Sequence, residues 1–301
     1  MPSPSRYGGT NLVLFLLMAA LWGTSWIAIK TAVTAAPPVF VSAVRYLIVG
    51  LLLACMTRGV LKAFAGTWIT RVVLTGLLVN AFASGLLFWG VGHVPSGMAG
   101  LINLPLVVIF LYGLAIVFGE EAPTWRHGLA LLLGCGGLLV LLWGKADMSG
   151  HVMELWGALA IVVATFSYCV GSIFSRPLLA TFTPLQLTAA HAIVGAAGLF
   201  ALAFLVEPPT MSQLRALLAP APLAAMGFLV FLGTIVAYTI YLRLVRDWGA
   251  PRAGLYAFIA PVVALLLGYV TYGEPLGLRE VFGAALLLTA AGIAINPFRR
   301  A

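Results

Sequence analysis

Charged side chains are scarce in this sequence. Only 8% of its 301 residues are Asp, Glu, Lys or Arg, and only eight of them are acidic, whereas soluble domains carry roughly 25% charged residues. Hydrophobic residues make up 62% of the chain, and the mean hydropathy is +1.11. So few charges cannot cover a surface exposed to water. This excludes an ordinary soluble domain and makes lipid the expected solvent.

The motifs of metal, phosphate and nucleophile chemistry are also missing. The sequence has no Gly-rich phosphate loop ending in Lys, no His-rich metal motif and no paired aspartates of the kind a membrane prenyl transferase needs. Cys55, Cys135 and Cys169 are odd in number and lie inside apolar stretches, so we interpret them as small buried hydrophobic residues. We therefore expect no cofactor, no metal and no enzymatic activity.

Long polar stretches are absent too, which leaves no room for a domain outside the membrane. Apolar runs long enough to cross a hydrocarbon core of about 30 Å recur along the chain, and short segments between them hold nearly every charge. The pattern predicts an all-α integral membrane protein with ten transmembrane helices. The expected spans are 11–32, 38–56, 72–91, 95–118, 127–143, 155–174, 184–206, 220–244, 250–269 and 278–295.

Basic residues are distributed unequally between the two sides of these spans. If the N-terminus is cytoplasmic, eleven Lys and Arg residues fall on the inner side and four on the outer side. Basic loops stay in the cytoplasm, so we expect both termini there and an inner-membrane location. The net charge of +8 then reflects topology and anionic lipid. The basic residues form no run with interleaved aromatics, so nucleic-acid binding is not expected.

The two halves of the chain resemble each other, which indicates an internal repeat. We place the first repeat at 7–148 and the second at 149–298. Ala99-Gly100-Leu101 matches Ala253-Gly254-Leu255, and the fourth span of each half ends in Gly-Glu, at Gly119-Glu120 and Gly273-Glu274. Three further matches share one spacing of 146 residues: Lys30 with Arg176, Pro38 with Pro184 and Arg45 with His191.

The odd number of spans in each repeat has a topological consequence. After five spans the second repeat must enter the membrane upside down relative to the first. Inverted repeats let two similar halves expose a site near the midplane to each side of the membrane in turn, as in secondary transporters. The sequence thus predicts two inverted five-helix repeats that work by alternating access.

Several motifs lie at the spacing of a known family. They are Leu21-Trp22-Gly23-Thr24-Ser25-Trp26 with Lys30, then Pro38 and Arg45, then Ala99 through Pro105 and the Gly119-Glu120 ending. With them the chain resembles the ten-helix EamA-type exporters of the drug/metabolite transporter superfamily, which include amino-acid exporters. The resemblance implies that helices 1 to 4 and 6 to 9 surround a central cavity and that helices 5 and 10 lie outside it.

The candidate substrate-binding residues are polar or amphipathic side chains well inside these spans. On the first span, Trp22, Ser25, Trp26 and Ile29 share one helical face. Asn80 and Ser84 are four residues apart on the third span, and Asn103 and Tyr256 each precede a proline that frees a backbone carbonyl. The full candidate set is Trp22, Trp26, Asn80, Ser84, Asn103, Tyr168, His191, Tyr238 and Tyr256. For each of them, helix–helix hydrogen bonding is the alternative.

Ionisable groups inside the spans are few. All eight acidic residues lie at or near predicted helix ends, so coupling through a buried carboxylate is not supported, and a facilitator, an exchanger or coupling through histidine remain. Arg45 lies about two turns into its helix with no acid in reach, so it is either structural or in contact with an anion. His191 holds the equivalent position in the second half.

These features predict an exporter of small metabolites, with amino acids favoured and the lipid bilayer as the other partner. A different solute remains open, such as a drug, a nucleotide sugar or a phosphorylated metabolite, although phosphate at midplane calls for several basic residues. An intramembrane serine enzyme using His191 is a further alternative, but Ser84 lies in Ala83-Ser84-Gly85 and not in a nucleophile motif. The sequence leaves the oligomeric state open, a monomer included.

Overall fold

The structure is a computed structural model and describes residues 8–119, 125–142, 152–248, 253 and 255–295. These residues form a bundle of apolar helices with no strand among them. The long helices are numbered α1 to α10 in chain order. Single segments form α1 Gly8–Val33, α2 Pro38–Met56, α4 Ser96–Val117, α5 Trp125–Leu142, α6 Val152–Ser175, α7 Pro184–Val206, α9 Tyr256–Tyr272 and α10 Leu278–Ile295.

The other two long helices each contain a wide π-helical stretch. Helix α3 consists of Ile69–Gly76, the π segment Leu77–Phe82 and Ala83–His93. Helix α8 consists of Pro220–Gly227, the π segment Phe228–Val236 and Ala237–Trp248. In a π-helix each backbone N–H donates to the carbonyl five residues earlier, so a turn contains more residues than in an α-helix. Side chains on either side of such a segment therefore leave the register of an ordinary helix.

Each predicted span falls on one of these helices, with ends that differ by a few residues. Among the described residues, six helices are long and apolar enough to cross a membrane, and α4, α5 and α9 contain shorter apolar stretches. The apolar pattern did not predict the short helix Met211–Leu217, which begins with a capping box between Thr210 and Gln213. Residues 249–252 and 254, in the predicted ninth span, lie outside the described part of the chain.

Helices of the two halves pack against each other in matching pairs. Helix α2 packs on α7, α4 on α9 and α5 on α10, so each contacts the helix five places later. The contact of α1 with α9 has its equivalent in the contact of α6 with α4. Such packing needs close backbone approach. Gly283 of α10, for example, lies against Leu141 and the carbonyl of Gly137 on α5.

One pair of interfaces breaks this equivalence. Helix α3 packs along α7, where Gly195 lies against Asn80 and Gly198 against Leu77 and Ala81. The equivalent face between α8 and α2 has far less contact, mainly with the π segment of α8. The bundle is therefore tightly packed along α3 and α7 and loosely packed along α2 and α8.

Charged side chains hold helix ends together at one end of the bundle. The Lys30 ammonium donates to the carbonyl oxygens of Val91, Gly92 and Val94 at 2.9, 3.0 and 2.8 Å, which satisfies the carbonyl end of α3. Glu274, just after α9, accepts from the backbone N–H groups of Ser96 and Gly97 at 2.5 and 2.9 Å and from the Ser96 hydroxyl at 2.7 Å.

A second acid performs the same task on another helix. Glu207, directly after α7, accepts a hydrogen bond from the backbone N–H of Val39 at the start of α2. Burial raises the pKa of this carboxyl, while backbone hydrogen bonds from Val39 and Phe40 act in the opposite direction. Both acids are located where the positive end of a helix dipole favours a carboxylate. They join helix ends that are far apart in the sequence.

The prediction for the cysteines is correct for one of the three. Cys169 is buried, whereas Cys55 and Cys135 are exposed on the helix bundle. A small, weakly polar thiol is as compatible with lipid as with a protein interior, so an apolar span does not decide between these two environments.

Candidate functional site

A cavity of about 350 Å³ lies in the middle of the bundle. Its described lining residues come from α1, α2, α3, α4, α6, α8 and α9. They are Trp22, Ser25, Trp26, Ile29, Arg45, Tyr46, Val79, Ala83, Ser84, Leu87, Asn103, Leu104, Val107, Ala164, Tyr168, Gly233, Tyr238, Tyr241 and Tyr256. The lining thus combines apolar walls with a few polar groups, as small-molecule sites do.

The first helix contributes the face that its sequence spacing predicts. Trp22, Ser25, Trp26 and Ile29 all line the cavity. Trp26 is only 5% exposed, and its indole also lies against Gly100 of α4. The Trp22 indole donates to the carbonyl of Gly233 at 3.0 Å. This hydrogen bond fixes the ring in the cavity wall.

Tyrosines from the second half form a cluster around Trp22. The ring centroids of Trp22 and Tyr256 are 4.3 Å apart, and those of Trp22 and Tyr241 are 5.6 Å apart. Tyr238 stacks on Tyr241 at 6.2 Å. Tyr168 also lines the cavity and remains 42% exposed. Such rings offer large apolar faces, each with one polar handle.

The polar residues on α3 and α4 are held by neighbouring helices. Ser84 donates a hydrogen bond to the Tyr46 hydroxyl at 2.9 Å. The Asn103 amide donates to the Thr165 hydroxyl at 2.8 Å. These contacts join α3 to α2 and α4 to α6 across the cavity wall. Ser84 and Asn103 therefore have fixed orientations with a remaining face toward the cavity.

Two candidate residues are located elsewhere. Asn80 lies in the π segment of α3, is 7% exposed and packs against Gly195 on α7. His191 is 6% exposed, and its Nε2 is hydrogen-bonded to the Thr75 hydroxyl at 2.8 Å. Both belong to the packed interface of α3 and α7. The cavity lining includes neither, contrary to the expectation from sequence.

Arg45 lines the cavity from the middle of α2. Its Nη2 donates to the Thr234 hydroxyl on α8 at 3.2 Å, and its Cζ lies 5.4 Å from the ring centroid of Tyr46 and 5.7 Å from that of Phe88. The Nε atom is buried and has no hydrogen-bond partner. None of the described lining residues is acidic.

The predicted set of site residues left out two tyrosines and one backbone group that the structure places at the cavity. Tyr46 adjoins Arg45, and its hydroxyl takes part in the wall of the cavity. Tyr241 is three residues from Tyr238, and this helical spacing pairs the two in one polar stripe, from which the predicted set took only Tyr238. The carbonyl of Gly233, in the π segment of α8, is a backbone acceptor, and no side-chain pattern could have indicated it.

An apolar helical bundle that encloses a mixed aromatic and polar cavity has the architecture of a membrane transporter. The chain belongs to the EamA-like transporter family, whose profile matches residues 10–143 and again residues 155–296. The family lies within the drug/metabolite transporter superfamily, in agreement with the motifs around Trp22 and Lys30.

Relatives along nearly the whole chain agree with this assignment. The chain is 27% identical over 277 residues to the "uncharacterized inner membrane transporter YedA" of Escherichia coli K12, covering 90% of this chain and 85% of that protein. It is 24% identical to a "probable amino-acid metabolite efflux pump" of the same strain, covering 95% and 94%.

A solved structure has the same fold. A chain titled "Crystal structure of protein" superposes with a TM-score of 0.59 at 23% identity, covering 97% of this chain and 99% of that one. Together with the apolar helices, the family and relatives identify a multi-pass inner-membrane protein that transports small molecules.

Proposed function

We propose that this chain exports amino acids by alternating access between two inverted five-helix repeats, with ten transmembrane helices and both termini in the cytoplasm. The observation that carries the proposal is a cavity with walls from both halves of the chain: Trp22 and Trp26 come from the first half, and Tyr168, Tyr238 and Tyr256 come from the second. A transporter has to bind its substrate where both halves can expose it.

The repeat supports this arrangement in two ways. The family profile matches each half separately. The spacing of 146 residues also relates Trp22 to Tyr168, and the spacing of 154 residues between the two Ala-Gly-Leu motifs relates Ser84 to Tyr238. All four residues line the cavity. Equivalent positions of two repeats therefore meet at one central site.

The unequal interfaces support alternating access. In a pseudo-symmetric protein, the packed face between α3 and α7 and the loose face between α8 and α2 are equivalent. The opposite conformation arises when these two faces exchange their packing. One conformation then exposes the cavity to one side of the membrane, and its counterpart exposes it to the other.

The chemistry of the cavity favours amino acids. Its volume of about 350 Å³ is near the small end of the roughly 300–1,000 Å³ usual for ligand sites. Aromatic faces suit an apolar side chain, while hydroxyl and amide groups suit ammonium and carboxylate groups. The efflux pump among the relatives is named for amino-acid metabolites. A nucleotide sugar would demand more volume and more cationic groups.

Counterflow in proteoliposomes tests the proposal directly. Purified protein should exchange labelled amino acids, with apolar and aromatic ones fastest, and should not exchange nucleotide sugars or sugar phosphates in the same panel. Empty liposomes and heat-inactivated protein provide the background. A panel in which no amino acid exceeds that background would contradict the proposal.

Topology is tested separately in intact cells. Single cysteines introduced in a cysteine-free protein at Lys62 and after Ala301 should resist a membrane-impermeant thiol reagent until the cells are permeabilised. A cysteine at Arg215, expected outside, should react at once. Labelling of the first two positions in intact cells would reverse the proposed orientation.

A further inference from the structure

Among the described lining residues, Arg45 is the only basic one and none is acidic. Its guanidinium has one hydroxyl partner, Thr234, through Nη2. The Nε–H is buried without any partner, and an unsatisfied buried donor costs about 1–3 kcal/mol. The flanking rings of Tyr46 and Phe88 stabilise its charge but accept no conventional hydrogen bond from Nε.

The unsatisfied donor has a defined geometry. The Nε–H and one Nη–H of a guanidinium project in parallel from one planar edge, and a carboxylate accepts both at once. A neutral hydroxyl such as that of Thr234 can accept only one of them. Arg45 therefore lacks an acceptor for its Nε–H, and a carboxylate group would supply one.

The aromatic cluster lies close to the Arg45 guanidinium. Arg45 reaches Thr234, and Trp22 reaches the carbonyl of Gly233. These two residues are consecutive on the π segment of α8, and consecutive Cα atoms are only about 3.8 Å apart. A ligand with its carboxylate on Arg45 would thus lay an adjoining apolar group on Trp22, Tyr241 and Tyr256.

We infer that Arg45 binds the carboxylate of the substrate and that the cavity selects monocarboxylates with an apolar or aromatic body. The inference rests on the proposed function and narrows its substrate class. A single guanidinium matches one negative charge, whereas a phosphate dianion requires more. An ammonium group on the same substrate would meet ring faces and hydroxyls rather than an acid.

The test uses calorimetric titration of the whole protein in lipid nanodiscs with three probes of one shape. L-phenylalanine and 3-phenylpropanoate carry a carboxylate, and L-phenylalaninamide replaces it with a neutral amide. We expect the protein to bind both carboxylates at least about tenfold more tightly than the amide, which corresponds to 1.4 kcal/mol.

Variants of Arg45 and Thr234 assign that preference to the guanidinium. Arg45→Gln should reduce carboxylate binding to the level of the amide, while its retained binding of the amide shows that the cavity is folded. Arg45→Lys keeps the charge without the fork and should give an intermediate affinity. Thr234→Val removes only the hydroxyl that accepts from Nη2 and keeps the guanidinium, so it should preserve the preference for carboxylates.

The outcomes separate this inference from the proposed function. Equal binding of phenylalanine and its amide by the unchanged protein, or a carboxylate preference that survives Arg45→Gln, would overturn the role of Arg45 while amino-acid exchange could stand. Binding of 3-phenylpropanoate that depends on Arg45, without exchange of any amino acid, would support the role of Arg45 and overturn amino-acid export. Binding of none of the three probes would overturn both.

Discussion

A disulfide across the packed face of α3 and α7 should stop transport. The positions are Ala81 and Gly198, changed to cysteine in a protein whose Cys55, Cys135 and Cys169 have been replaced by alanine. A Cβ at position 198 would lie 3.0 Å from the Cβ of Ala81, and Cβ atoms in disulfides are about 3.8 Å apart. The two helices thus need to separate by less than about 1 Å to accommodate the bond.

With this disulfide formed, α3 and α7 have to remain packed against each other. Alternating access requires the face to loosen when its equivalent between α2 and α8 closes. The rate of counterflow should therefore fall in proportion to the cross-linked fraction, measured on gels, and dithiothreitol should restore it. The single-cysteine variants, treated with the same oxidant, should keep their full rate.

A second disulfide serves as a matched control. A Cβ added at Gly134 on α5 would lie 3.9 Å from the Cβ of Ala290 on α10. Neither helix contributes a described residue to the cavity. This cross-link should leave counterflow unchanged. Full transport by protein completely cross-linked between α3 and α7 would refute the alternating exposure of the cavity.

Three simpler substitutions test individual contacts. Trp22→Ala should weaken transport by about tenfold at matched expression, because it removes a ring from the aromatic cluster, whereas Trp125→Ala, at a side chain 73% exposed, should have little effect in the same assay. Glu274→Gln should lower the free energy of unfolding by about 1–2 kcal/mol, because the amide nitrogen cannot accept a hydrogen bond as the second carboxylate oxygen does. Thermal unfolding in detergent should show a lower Tm, and an unchanged Tm would argue against the cap. Lys30→Met should destabilise the protein by a similar amount, since it leaves the carbonyl end of α3 without its donor, and the loss should persist at high salt because Lys30 donates to carbonyls.

The length and apolarity of the spans were sufficient to predict where helices lie. Span 184–206 and span 278–295 match α7 and α10 to the residue, because each begins at a clear break in the apolar pattern. Helical periodicity also placed Trp22 and Ser25 on the face that lines the cavity. Local sequence determines these features, so no knowledge of neighbouring helices was needed.

Features that depend on tertiary packing could not be predicted in this way. The four-residue spacing of Asn80 and Ser84 indicated one polar face, but Asn80 packs against Gly195 of α7, and the pattern of a single helix cannot reveal such a contact. His191 is equivalent to Arg45 in the repeat, yet only Arg45 faces the cavity, because α7 is packed against α3 while α2 is not comparably packed against α8. A repeat in sequence predicts symmetry and cannot reveal which of two equivalent interfaces is closed.

The cap formed by Glu274 has a consequence for biosynthesis. The first turn of α4 receives its acceptor from a residue 178 positions later in the chain. While the ribosome is still making the second half, the N–H groups of Ser96 and Gly97 lack this carboxylate, and α4 enters the membrane with an incomplete first turn. The amino-terminal half produced alone would retain that defect. Supplying the carboxy-terminal half as a separate polypeptide should therefore protect the first half from membrane proteases.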